Sequence, residues 1–173
     1  MRGDAKTLIL LRHATSGWSA GAPDHERPLA ERGHAQAPAA GVWLREHGLA
    51  PDAAVVSDAL RTRQTWVWVA RELGDDAPTP YLDARLYEAD AAGALAVINE
   101  TEETVRTLMV VGHMPWLQDL GIRLMSLESD QDASLAMAEH LPPLGLQVLR
   151  VPGPWAELDG RDAALIDFVV PGT

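Results

Sequence analysis

Two arginines and two histidines stand out in this 173-residue sequence because each follows a short apolar run. Leu8-Ile9-Leu10-Leu11 leads straight into Arg12-His13. Val55-Val56 leads into Ser57 and then Arg61, and Leu108-Met109-Val110-Val111 leads through Gly112 into His113. Guanidinium groups are planar, permanently charged forks that match phosphate oxygens in pairs. A histidine beside them is held neutral, because nearby positive charge disfavours the imidazolium. A neutral imidazole nitrogen can accept a phosphoryl group, which divides one hard hydrolysis into two easier steps. A second histidine can donate to the phosphoryl oxygens as charge shifts in the transition state. Arg12, His13, Arg61 and His113 therefore point to phosphoryl transfer, with the hydroxyls of Ser16 and Ser57 as further candidate phosphate ligands.

These groups do chemistry only if the chain brings them together. Strand-length apolar runs are expected at 7–11, 53–56, 79–82, 108–111, 145–151 and 164–170. Helical patterns fall between them at 31–47 (interrupted by Pro38), 60–73, 91–100 and 116–127. Gly74 is placed to end the second helix, and Pro115 to open the last. Continuous apolar strands separated by helices predict a three-layer α/β/α fold with a mostly parallel sheet. The Pro- and Gly-rich stretch at 151–154 predicts a tight connection between the last two strands, with an antiparallel edge strand. Ligands of open α/β sheets sit outside the carboxyl ends of the parallel strands. Three such ends would carry both arginines and both histidines to one rim.

The remaining sequence narrows the function. The length fits one domain over 1–173. No apolar stretch approaches the roughly 20 residues of a membrane span, and no signal-peptide pattern is present, so a cytoplasmic location is expected. The absence of cysteine excludes disulfides and a thiolate nucleophile. No two histidines lie three or four residues apart, so neither a metal site nor any cofactor is expected. The net charge of −11 argues against nucleic acid and anionic membrane as partners. No helix shows an obvious unpaired apolar face, which makes a monomer the default. Phosphate-loop and Gly-x-Ser-x-Gly patterns are both missing. Trp18, in a Gly-bounded loop, is a candidate cleft wall. Asp24, His25 and Arg27 either line the entrance or form a local ion-paired turn.

The motifs, taken in order, resemble the histidine phosphatase superfamily with its phosphoglycerate mutase-like fold. Leu11-Arg12-His13-Ala14 is similar to its Arg-His-Gly/Ala signature. Arg27-Pro28-Leu29 with Arg32-Gly33 and Gln36-Ala37 resembles its second segment, and Ser57 to Thr65 its third. Val111-Gly112-His113-Met114-Pro115 is similar to the Gly-His-Asn-Pro of short, SixA-type members. The resemblance implies that His13 is the phosphorylated nucleophile and that Arg12, Arg61 and His113 complete the phosphate pocket. The family's proton donor is commonly a Glu after the third strand, which implies Glu88 in Leu86-Tyr87-Glu88-Ala89, with Asp24 as the second candidate. The implied substrate is a phosphohistidine protein. A small phosphorylated metabolite is the alternative, as is a phospho-ligand-binding module without turnover.

Overall fold

The computed structural model describes residues 5–18 and 20–173. Six strands form one sheet: β1 (Lys6–Arg12), β2 (Ala53–Ser57), β3 (Tyr81–Asp83), β4 (Thr107–Gly112), β5 (Leu146–Val151) and β6 (Ala164–Val169). Their order across the sheet is β3-β2-β4-β1-β5-β6. The first four are mutually parallel, whereas β5 runs antiparallel to both β1 and β6. The single reversed strand is thus internal, and β6 at the edge runs with β1. The edge pairing of β6 with β5 is antiparallel, as expected of the last two strands. The connection between them is not a tight turn, since it carries a 3-10 turn at Trp155–Glu157 before β6 begins.

Alternation along the strands builds the two cores. Successive side chains on a strand point to opposite faces. Leu8, Leu10, Leu108 and Val110 pack with Leu95, Ile98, Leu117, Leu120 and Met137 on one side. These come from α4 (Ala91–Asn99), α5 (Trp116–Leu124) and α6 (Gln131–Glu139). Ile9, Leu11, Met109 and Val111 pack on the other side with Leu44, Trp66 and Val69. Those belong to α2 (Pro38–Glu46) and α3 (Leu60–Leu73), which α1 (Glu31–Gln36) precedes. Each buried Leu contributes roughly 1.5–3 kcal/mol of burial free energy. Because both faces are covered, β1 and β4 must be apolar throughout, and that is the signal their sequences carry.

The helix expected over 31–47 is two helices. Pro38 sits at the first turn of α2, where its missing N–H leaves no intrahelical bond unmade. The structure adds α6, which lacks a strong apolar stripe because Met137 is its one fully buried residue. Its start is marked by Asp130, whose side chain accepts from the Ala133 N–H at 2.8 Å.

Two glycines permit close approaches around the sheet's carboxyl edge. A Cβ on Gly33 would lie 2.1 Å from the Thr15 carbonyl oxygen, so α1 reaches the loop after His13 only with glycine there. A Cβ on Gly112 would lie 2.1 Å from the Trp116 ring, which instead covers the end of β4. The same indole donates to the Leu86 carbonyl at 3.0 Å and ties the segment after β3 to this edge.

Candidate active site

The loop after β1 is held by backbone bonds on every side. His13 N–H donates to the Gly112 carbonyl at the end of β4, and the Leu144 N–H donates to the His13 carbonyl. Ala14 N–H donates to Thr65 Oγ1 of α3 at 3.1 Å. Gln36 Oε1 accepts from both the N–H and the hydroxyl of Thr15. The Gln36 and Thr65 positions of the sequence motifs therefore fix the loop that carries His13.

His13 is 7% exposed, and its Nδ1 lies 2.7 Å from the Ala14 carbonyl oxygen. A carbonyl only accepts, so Nδ1 carries the proton and Nε2 keeps its lone pair. Burial lowers the pKa of His13 to about 4; the bond to Ala14 opposes this, and the charges of Arg61, Arg12 and Arg27 reinforce it. The ring of His113 is also buried, with its centroid 5.4 Å from that of His13. Its pKa is lowered to about 3, first by burial and then by His13 and Arg61. His113 Nε2 is 2.7 Å from Ser57 Oγ, and its Nδ1 is buried without a hydrogen-bond partner among the described residues. Arg12 donates from Nη1 to the Leu141 carbonyl at 2.9 Å, while its buried Nε likewise has no partner among them.

Arg61, in the first turn of α3, has both ends of its fork occupied by one residue. Nη1 donates to the Asp24 carbonyl at 2.8 Å and Nη2 to Asp24 Oδ2 at 3.2 Å. The Asp24 carboxylate also accepts from the Tyr87 hydroxyl and, at 3.0 Å, from Arg27 Nη1. Tyr87 first and Arg27 next hold Asp24 well below the usual carboxylate range. Arg27 further donates to Ser16 Oγ at 3.0 Å and to the Gly17 carbonyl. Its guanidinium lies 3.8 Å above the exposed Trp18 ring.

The structure thus brings Arg12, His13, Arg61, His113 and Ser57 together at one edge, with Ser16 tied to them through Arg27. It does not bring in Glu88, which is exposed and makes no hydrogen bond or ion pair among the described residues. The carboxylate that reaches the arginines is Asp24, from the segment read as entrance or turn. Tyr87 was not singled out by the sequence reasoning. Its ring packs edge-on against both His113 (5.7 Å) and His25 (4.8 Å). The available signal was its place beside Glu88, directly after a segment held by Trp116. Among the described residues, no group of three or more His, Asp or Glu side chains is placed to hold a metal ion. Nor is any helix long and apolar enough to cross a membrane.

Two buried neutral histidines make stability depend on acid. Each has a folded pKa below its unfolded value, so the unfolded chain binds more protons as pH falls below about 6.5. Their contribution is present above that value and is lost as pH drops toward 4, at roughly 3 kcal/mol for His13 alone. His25 is shifted upward by Asp58 and Glu26 and acts in the opposite sense, but only above that window. Urea unfolding midpoints should therefore fall between pH 6.5 and pH 4.5; an unchanged midpoint would contradict neutral burial of the pair.

Comparison with known proteins agrees with this arrangement. A model of the histidine phosphatase superfamily (branch 1) matches residues 8–109. An uncharacterized protein of Mycobacterium tuberculosis is 44% identical over 163 residues, covering 93% of this chain and 99% of that protein. A candidate phosphohistidine phosphatase SixA of Nakamurella multipartitia superposes with a TM-score of 0.85 at 32% identity, covering 98% of each chain. Its counterpart from Agrobacterium tumefaciens gives a TM-score of 0.77 at 29% identity, covering 96% of this chain and 99% of the other. The strand-end histidines, the sheet that positions them and the matched 8–109 segment have one common explanation: this chain belongs to branch 1 of the histidine phosphatase superfamily.

Proposed function

We propose that this protein is a SixA-like phosphatase that acts through a phosphohistidine on Nε2 of His13, with a phosphorylated histidine of a protein as its preferred substrate. The observation that carries this reading is the 2.7 Å contact between His13 Nδ1 and the Ala14 carbonyl. It leaves Nε2 unprotonated in a ring that stays neutral down to a pH of about 4. The phosphoryl group sits between Arg12, Arg61 and His113, and Arg61 exchanges Asp24 for phosphoryl oxygens. Nε2 attacks phosphorus in line as the bond to the leaving group breaks. Water then attacks phospho-His13, releasing inorganic phosphate and restoring the neutral ring. No step requires a metal.

Leaving-group chemistry favours phosphohistidine. Asp24 is held ionised by Tyr87 and Arg27, so it has no proton to give at neutral pH. An imidazole leaving group needs less acid assistance than an alkoxide. Glu88 is exposed and stands outside the cluster, so no carboxylic acid there is poised for an alkoxide leaving group. Glu88→Gln should therefore change turnover of phosphohistidine and of an alkyl phosphomonoester by no more than about threefold. A loss of about 10²-fold or more on the monoester alone would give Glu88 the donor role after all.

The reading as a whole is tested with phosphohistidine protein, sugar phosphates and a chromogenic phosphomonoester, each in EDTA. Expected are chelator-resistant release of phosphate, fastest from phosphohistidine, and an acid-labile, alkali-stable label on the enzyme. Binding of phosphate without label or turnover would favour a phospho-ligand-binding module instead. Fastest release from a sugar phosphate would make the protein a small-molecule phosphatase, and loss of activity in EDTA would overturn the metal-free route.

A further inference from the structure

The side chain in contact with the His113 ring nitrogen Nε2 is Ser57. It closes β2, is fully buried, and its Oγ has two neighbours. The Ala59 N–H approaches it at 3.4 Å and can only donate. His113 Nε2, at 2.7 Å, is the one acceptor within reach of the hydroxyl proton among the described residues. A buried hydroxyl without an acceptor costs about 1–3 kcal/mol. If Nε2–H donated to Ser57 instead, the hydroxyl proton and the Nδ1 lone pair would both be buried unsatisfied.

We propose that Ser57 is a positioning residue rather than a phosphate ligand: its hydroxyl donates to Nε2 of His113 and fixes the imidazole proton on Nδ1. His113 Nδ1–H is then a buried donor with no partner among the described residues, on a ring beside that of His13. A phosphoryl oxygen can accept from that N–H, whereas the other tautomer would present a lone pair that repels it. Burial keeps His113 neutral, so the choice of tautomer decides whether it can donate there at all. This inference rests on the proposed reading that His113 faces the transferred phosphoryl group.

The test combines nitrogen NMR of 15N-histidine-labelled protein with kinetics on Ser57→Ala and Ser57→Thr. Wild-type His113 should show a protonated Nδ1 and an unprotonated Nε2. Ser57→Ala should give a mixture of tautomers and lower kcat at least tenfold, with KM changed much less. Ser57→Thr, which keeps a hydroxyl, should restore both the tautomer and most of the rate. A wild-type His113 protonated on Nε2 would overturn the proposal, as would Ser57→Ala with an altered tautomer and an undiminished kcat. The NMR arm needs no turnover. Absence of any phosphatase activity would therefore count against the broader functional reading, while the tautomer result would still decide the role of Ser57.

Discussion

Replacing His13 with alanine should abolish turnover, by at least about 10⁴-fold and by as much as about 10⁶ where nucleophile and partners act as one unit. The label on the enzyme should vanish with it. The substitution is a clean probe because, among the described residues, the imidazole's one hydrogen bond is to the neighbouring Ala14 carbonyl. The loop itself is held by backbone bonds to Gly112, Leu144 and Thr65, which alanine leaves in place. A variant with near-wild-type rate would refute the nucleophile assignment. The wild-type pH profile offers a second check. A nucleophile whose pKa is lowered to about 4 stays reactive through pH 5, so kcat/KM should show no acid limb near 6.5 that arises from His13. A limb at 6.5 assigned to His13 by direct titration would contradict its burial.

Replacing Arg61 with alanine should lower kcat/KM by about 10²–10³-fold. Arg61 supplies two parallel donors, both already held in place by the carbonyl and carboxylate of Asp24. Its side chain is 9% exposed, so those donors act where water competes little. Arg61→Lys restores the charge without the fork and should recover only part of the loss. Inhibition by tungstate or inorganic phosphate should weaken in the same order, wild type, then lysine, then alanine. Parallel loss in rate and in anion affinity identifies Arg61 as a phosphate ligand. An alanine variant within threefold of wild type in both would remove it from the site.

Much of this arrangement was legible in the sequence where the signal is local. The strand ends carry Arg12-His13, Ser57 and Gly112-His113 because β1, β2 and β4 are buried on both faces and read as unbroken apolar runs. The helix over Leu60–Leu73 was legible to the residue, since Gly74 with its positive φ ends it. Pro38 marked the break between α1 and α2. What stayed hidden depends on contacts between distant segments. Tyr87 and Asp24 meet across 63 residues, and no periodicity in either segment encodes that bond. The internal position of β5 follows from its pairing with both β1 and β6, which a strand's own composition does not specify. The sequence points to Glu88 and not to its neighbour Tyr87 because acid chemistry draws attention to carboxylates. In the folded chain the neighbouring phenol points to the site's aspartate and the Glu88 carboxylate stays in solvent.

The seat that Asp24 takes in the Arg61 fork has a consequence for life in a phosphate-rich solution. An open fork would be filled by any free phosphate, and the enzyme would idle in its own product. With a tethered carboxylate already there, the fork is vacant only part of the time, and apparent affinity falls by that fraction. Bare phosphate would have only Arg12 and His113 with which to offset the displacement. On the proposed function, a phosphorylated side chain on a larger molecule would also meet the rim around Trp18 and Arg27, whose guanidinium covers the indole. One internal anion would then bias the protein toward phosphate that is still attached to something.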